Sequence, residues 1–154
     1  MKSIEGNFDN LEVNDLLKKH FIELRSVSPA GSTHVLDIDG LKDPSIKFWS
    51  LWENNKLIGC GALKFLEKNH GEFKSIRVAD EFRKKRAGER IINYLIEEAK
   101  KLKISKLSIE TGAGEFFLPA RKLFVKCGFK PCAPFAHYKD DINSLYLSKL
   151  IDNS

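Results

Sequence analysis

The sequence predicts an α+β domain whose central sheet is mixed, mostly antiparallel and flanked by helices, and three observations carry that reading. Apolar residues at 11, 13, 16, 17, 21 and 24 recur at helical spacing, and so do Ile91, Ile92, Leu95, Ile96, Ala99 and Leu102. Between them, the β-rich runs Ile46–Trp52 and Leu57–Leu66 flank Asn54-Asn55, the turn chemistry of an antiparallel hairpin. Strands and helices do not alternate strictly as βαβ units, which points to α+β. At 154 residues, 42% of them hydrophobic, the chain has the length of one domain and the apolar content to bury a core. No repeat, low-complexity stretch or linker divides it, so residues 1–154 are read as a single domain.

The elements follow in order. Asn10 is placed to cap the first helix, Leu11–Leu24. The stretch Ser26–Asp43, rich in Ser, Pro, Gly and Asp, reads as a loop with a short helical turn. A connection of that length in a compact domain is often functional, for example as a wall over a binding site. Gly59 and Gly61, in the second hairpin strand, signal a close backbone approach or a bulge. A turn at Lys68–Gly71 leads into a third strand, Glu72–Val78, and the second long helix begins near Arg86. Leu107–Glu110 is a short strand and Thr111–Gly114 a glycine-containing loop. Phe116–Cys127 reads as a helix, with Pro119 in its first turn and Gly128 just past its end. Phe129–Tyr138, broken by Pro131 and Pro134, and Ser144–Leu150 close the chain as irregular or strand structure.

A net charge of +5 favours anionic partners without choosing among them. Few aromatics interleave with the basic clusters, which weakens a single-strand nucleic-acid reading. The three cysteines lack CxxC spacing and the four histidines are scattered, so no disulfide framework and no metal site are expected. The polar N-terminus and the absence of a long apolar run lead us to expect a cytoplasmic protein without a membrane partner.

One segment stands out. Five basic residues, Arg83, Lys84, Lys85, Arg86 and Arg90, crowd the start of a helix, where the macrodipole prefers acids. Each misplaced charge costs roughly 0.3–1 kcal/mol if exposed. A bound anion reverses the penalty, because a helix start with a small residue such as Gly88 is a phosphate cradle.

The order of motifs resembles the GCN5-related N-acetyltransferase superfamily over about Ile46 to Leu150. Its motif of a strand followed by Arg/Gln-x-x-Gly-x-Gly/Ala at a helix start stands here as Ile76-Arg77-Val78, then Arg83-Lys84-Lys85-Arg86-Ala87-Gly88. A second signature, Ala-x-x-Leu-Tyr-x-x-x-Gly-Phe, stands as Ala120-Arg121-Lys122-Leu123-Phe124-Val125-Lys126-Cys127-Gly128-Phe129. Gly71–Arg77, Ile109–Gly112 and Cys132–Tyr138 are similar to a bacterial subgroup of acetyltransferases of uncharacterised substrate. The resemblance implies acetyl-CoA as co-substrate. Its pyrophosphate is expected on the amides of Arg83, Lys84, Lys85, Arg86, Ala87, Gly88 and Glu89, and its pantetheine arm on the backbone of Ile76 and Val78. Arg86 departs from the family glycine. Its amide can donate if the backbone is right-handed or extended, whereas a left-handed residue there costs about 1 kcal/mol or more. Phe117 departs from a family asparagine that contacts the cofactor.

Acetyl transfer to an amine needs a deprotonated nucleophile, a polarised thioester and a proton for the departing thiolate. The resemblance makes Glu72 the general base, with a pKa that a partly buried cleft would raise. Period-two alternation places Glu72, Lys74, Ile76 and Val78 on one face and Phe73, Ser75, Arg77 and Ala79 on the other. The family's tyrosine acid is Phe124 here, which cannot donate a proton, so Tyr138 is the candidate substitute. Tyr94 lies among helix-core positions. Trp49 and Trp52 are expected on opposite faces, with Trp49 taken as a wall of the acceptor site, and Glu110 and Thr111 as further acceptor contacts. The function expected is transfer to a primary amine in a ternary complex. The acceptor is a small amine, an amino acid or a peptide amine; the short chain favours a small molecule over a docked protein. A homodimer is in keeping with the family. The competing readings are a non-catalytic acyl-CoA-binding protein and, less favoured, a nucleic-acid binder.

Overall fold

Asn54 and Asn55 both adopt positive φ, 51° and 64°, the conformation that a two-residue hairpin turn demands. They join β2 (Ile46–Glu53) to β3 (Lys56–Glu67), and a second tight turn with Asn69 at φ 67° joins β3 to β4 (His70–Val78). The computed structural model describes residues 1–151, and the last three residues of the expected 1–154 domain lie outside it. Among the described residues seven strands make one sheet, completed by β1 (Lys2–Glu5), β5 (Lys106–Gly112), β6 (Lys130–Pro131) and β7 (Ser144–Leu150). Their order is β1-β2-β3-β4-β5-β7-β6, and only the β4–β5 pair is parallel. The domain is thus α+β with a mixed, mostly antiparallel sheet. Strand β1 was not expected from the polar N-terminus; as an edge strand it needs one paired side and little apolar content.

Among the described residues four α-helices cover the sheet: α1 (Leu11–Val27), α2 (Ile38–Leu41), α3 (Ala87–Lys101) and α4 (Leu118–Lys126). The Asn10 side chain accepts from the Val13 amide, which caps α1. Pro119 sits in the first turn of α4, and Gly128 follows its end at φ 97°. The sheet separates two cores. On one face α3 buries Ile91, Ile92 and Leu95 against Leu51, Leu63, Phe73 and Ile109. On the other, α1 buries Val13, Leu16 and Leu17 against Phe48, Cys60 and Ala62. Each such aliphatic side chain contributes about 1.5–3 kcal/mol on burial.

Strand β4 breaks its own alternation. Its register with β3 passes from Ala62↔Lys74 to Cys60↔Arg77, so Ser75 and Ile76 together oppose Gly61. This is a bulge, with Ser75 at φ 53°. The extra residue reverses the phase: Phe73, Ile76 and Val78 pack with α3, whereas Arg77 pairs with Glu23 of α1. The uninterrupted alternation expected from Glu72 to Ala79 is therefore corrected. The Lys74 ammonium pairs with Glu72, but Ile76 and Val78 point the other way.

The bulge also limits the parallel pair. β4 and β5 match only from His70↔Lys106 to Glu72↔Ser108, while β5 continues along β7 to Gly112↔Ser144 and β4 continues along β3 to Val78↔Gly59. From Phe73 onward the two facing edges carry no strand partner among the described residues. β5 is longer than expected, and takes in Thr111 and Gly112 because β7 supplies a complete antiparallel ladder.

Gly59 holds this region closed on the α3 side. A Cβ there would sit 2.2 Å from the Arg77 carbonyl oxygen and 2.7 Å from Ile91 Cδ1. Gly59→Ala is expected to lower stability by about 3 kcal/mol, read as a shift in the urea midpoint at unchanged m-value.

Candidate active site

Where β4 and β5 part, a cavity of about 710 Å³ runs from the start of α3 to the loop between α1 and α2. One end is built from charged backbone. Lys84 and Arg86 are both left-handed, at φ 64° and 59°, and Arg86 is the N-cap of α3 without any side-chain cap. Left-handed geometry costs a non-glycine residue about 1–2 kcal/mol. Of the two backbone alternatives open for Arg86 from sequence, the structure shows the left-handed, costly one. Arg83, Lys84, Arg86, Ala87, Gly88 and Glu89 all line the cavity. Lys85 does not; its ammonium lies 5.6 Å from the centre of the Phe82 ring. At Gly88 a Cβ would meet Leu123 Cδ2 at 2.7 Å, so the glycine lets α3 begin against α4. Ile76 and Val78 line the same end.

The other end is built from paired charges. Tyr138 donates its hydroxyl to Glu72 Oε2 at 2.6 Å, and Lys74 Nζ donates to Glu72 Oε2 at 3.3 Å and to the Tyr138 oxygen at 3.1 Å. Glu72 is only 1% exposed, and its Oε1 has no partner among the described residues. Burial, then the Glu72 charge, pushes the Tyr138 phenol well above its usual range. Tyr138 also lies outside the cavity wall, its hydroxyl committed to Glu72. The hydroxyl hydrogen of Tyr138, expected from sequence as the acid, is thus spent on Glu72 in this structure. Phe124 is core, packed edge-on against Phe129 with centroids 5.4 Å apart.

Glu110 and Thr111 line the cavity from β5 as expected. Burial raises the Glu110 pKa, while Ser144 and then Lys74 pull it back. Among the described residues Glu110 makes no ion pair. Trp49 does not reach the cavity. It is 5% exposed in the α3 core, edge-on to Tyr94 at 6.2 Å, because its position on β2 faces α3.

Sequence reasoning missed several wall residues. His34 stands edge-on to Tyr138 at 5.0 Å, and burial lowers its pKa. Its loop, expected as a wall, lines the cavity from Ser32 to Leu36. Ser32 donates to Asp141 at 2.6 Å and accepts from Asn143 at 3.3 Å, which ties this loop to the segment before β7. Arg77 donates to Glu23 at 2.7 Å, and buried His20 stands beside the pair. The i,i+3 spacing of His20 and Glu23 was a visible signal; their partner on β4 was not. Among the described residues no group of three His, Cys, Asp or Glu side chains is placed to hold a metal ion, and no helix is long and apolar enough to cross a membrane.

A mixed sheet opened at its single parallel pair, beside a helix start with uncapped amides, is the architecture of an N-acetyltransferase. The chain belongs to the acetyltransferase (GNAT) family, whose model matches residues 11–129. It is 42% identical over 138 residues to the uncharacterized N-acetyltransferase YsnE of Bacillus subtilis (strain 168), covering 90% of this chain and 91% of that one. It is 33% identical over 127 residues to the IAA acetyltransferase of Azospirillum brasilense, covering 82% of each. A Bacillus subtilis acetyltransferase crystallised in complex with CoA shares the fold, with a TM-score of 0.73 at 23% identity over 97% of this chain and 98% of that one.

Burial, reinforced by Arg77, lowers the His20 pKa from 6.5 to about 4. Between those values the unfolded chain binds the proton that the folded chain excludes, so stability falls as pH drops from 6.5 to 4. The loss approaches about 3 kcal/mol, and His20→Gln should flatten it in urea titrations run across that window.

Proposed function

We propose that the protein transfers the acetyl group of acetyl-CoA to a primary amine of a small molecule, by direct attack within a ternary complex. The observation that carries this reading is the β4 edge beyond Glu72, which runs without a strand partner towards the uncapped start of α3. Such an edge offers backbone donors and acceptors to an amide-bearing arm. The amides of residues 84–89 and the cations of Arg83, Lys84 and Arg86 suit a pyrophosphate. The Bacillus subtilis structure with CoA supports the same co-substrate, and the relative named for IAA supports a small acceptor.

Acetyl-CoA supplies a thioester whose carbonyl carbon is open to attack and whose sulfur can leave. Glu110 takes the first proton from the acceptor ammonium, a role that suits a carboxylate whose pKa burial has raised. The freed nitrogen forms the new C–N bond as the C–S bond breaks, and its second surplus proton passes through water to the thiolate. With Phe124 apolar and Tyr138 committed to Glu72, no side-chain acid is assigned. Glu72, expected as base, instead holds Lys74 and Tyr138 in place.

Calorimetric titration with acetyl-CoA at physiological salt should show saturable one-to-one binding; a folded sample that does not bind would overturn the reading. In a free-thiol assay with an accepted amine, Glu110→Gln is expected to lower kcat/KM by about 10²–10⁴ with acetyl-CoA affinity retained. Arg86→Gly relieves left-handed strain of about 1–2 kcal/mol against glycine's chain-entropy cost of about 0.4–1. It should raise stability by about 0.5–1 kcal/mol and weaken acetyl-CoA binding.

A further inference from the structure

We propose that the acceptor is a free α-amino acid, held by its carboxylate on Lys74 and by its amino group at Glu110; this rests on the acetyltransferase reading above. The parallel register Glu72↔Ser108 sets Lys74 and Glu110 at the same level on the two edges where the strands part. Both line the cavity on the sheet face away from α3, since Phe73, Leu107 and Ile109 occupy the α3 core. Lys74 and Glu110 both line the cavity and, among the described residues, form no ion pair with each other, Lys74 being paired with Glu72. A molecule that carries an ammonium and a carboxylate on adjacent atoms matches that pair.

The remaining polar groups point the same way. The Lys74 ammonium has three N–H groups and spends two, on Glu72 and on Tyr138; the third has no partner among the described residues. Its side chain is 8% exposed, so an unpaired donor there is expensive to leave unmet. Ser75 Oγ, the next residue on the bulge, is buried and likewise without a partner among the described residues. Of the other charged groups at this end, Glu72 Oε1 and Arg77 Nε are buried without a partner among the described residues, while their remaining polar atoms are met. Glu72 is held by Lys74 and Tyr138, Arg77 by Glu23, and Asp141 by Ser32. Burial, then Lys74, lowers the His34 pKa. Leu24, Val35 and Leu36 leave an apolar wall for the amino-acid side chain. The tie of Ser32 to Asp141 and Asn143 bridges the loops at this end, which suits a short acceptor better than a peptide. A peptide N-terminus, moreover, has an amide where the carboxylate is required.

The test is a free-thiol assay on the wild-type protein with saturating acetyl-CoA. Each free amino acid is compared with its own α-amide and its own decarboxylated amine. The expected result is a kcat/KM for at least one amino acid about ten- to a hundredfold above both analogues, the factor for one charge-assisted hydrogen bond. Lys74→Gln should shrink that ratio towards one, and Lys74→Arg should preserve part of it, which separates the carboxylate contact from any loss of Glu72 packing. Equal turnover of amide, amine and amino acid overturns the inference and leaves the acetyltransferase standing. Acetyl-CoA binding without turnover of any amino acid also overturns it, whereas failure to bind acetyl-CoA sinks the parent reading as well.

Discussion

The structure depends on a single failure of hydrogen bonding, the parting of β4 from β5 after Glu72↔Ser108. Two parallel strands in mid-sheet would ordinarily satisfy each other along their whole length. Here the Ser75 bulge bends β4 and reverses the side chains beyond it, while β7 holds β5 to a different course. The price is a length of strand edge without a partner. The return is a cavity in the centre of the sheet, with main-chain donors and acceptors at one side and side chains of both faces converging on it. Gly59 and Gly61 belong to the same device, because the β3 backbone beneath the bulge lies against Arg77, Ile91 and Leu95 too closely for a Cβ.

Electrostatics divides the cavity into two halves. At the α3 start, positive φ at Lys84 and Arg86 and an uncapped helix dipole concentrate positive potential, an arrangement that costs energy until an anion meets it. At the other end, charge is nearly neutralised in pairs, Lys74 with Glu72 and Arg77 with Glu23. Removing one member of such a buried pair leaves an uncompensated charge, so these groups fix position as much as they do chemistry. Glu110 differs from them in having no salt-bridge partner among the described residues, which is why the proposed mechanism gives it the work on the substrate.

Much of the fold was legible in the sequence because it rests on local rules. Asn10 caps a helix, Asn54-Asn55 turns a hairpin, Gly128 ends α4, and the 91–102 periodicity predicts the face that α3 buries. The basic segment 83–86 pointed to the cavity's helix-start end, since cations at a helix start contradict the macrodipole. The acceptor end was read less well. Trp49 was assigned to the cavity because three-residue spacing on a strand says only that two side chains diverge, not which face lies on α3. Tyr138 was read as a substitute acid, but whether its hydroxyl faces a thiolate or a carboxylate depends on a loop with no periodicity, and in the structure it meets Glu72.

By itself the sequence determined most of the elements, their order and the cation-rich start of α3, because each is set by residues within a few positions of one another. Tertiary structure alone decided the bulge at Ser75, and with it which face Ile76, Arg77 and Val78 present. It also decided the meeting of Lys74 with Glu72 and Tyr138, 64 to 66 residues away, and of Arg77 with Glu23. Those contacts depend on strand register and on how far two strands diverge. Both are sums over the whole sheet, and no local pattern encodes them.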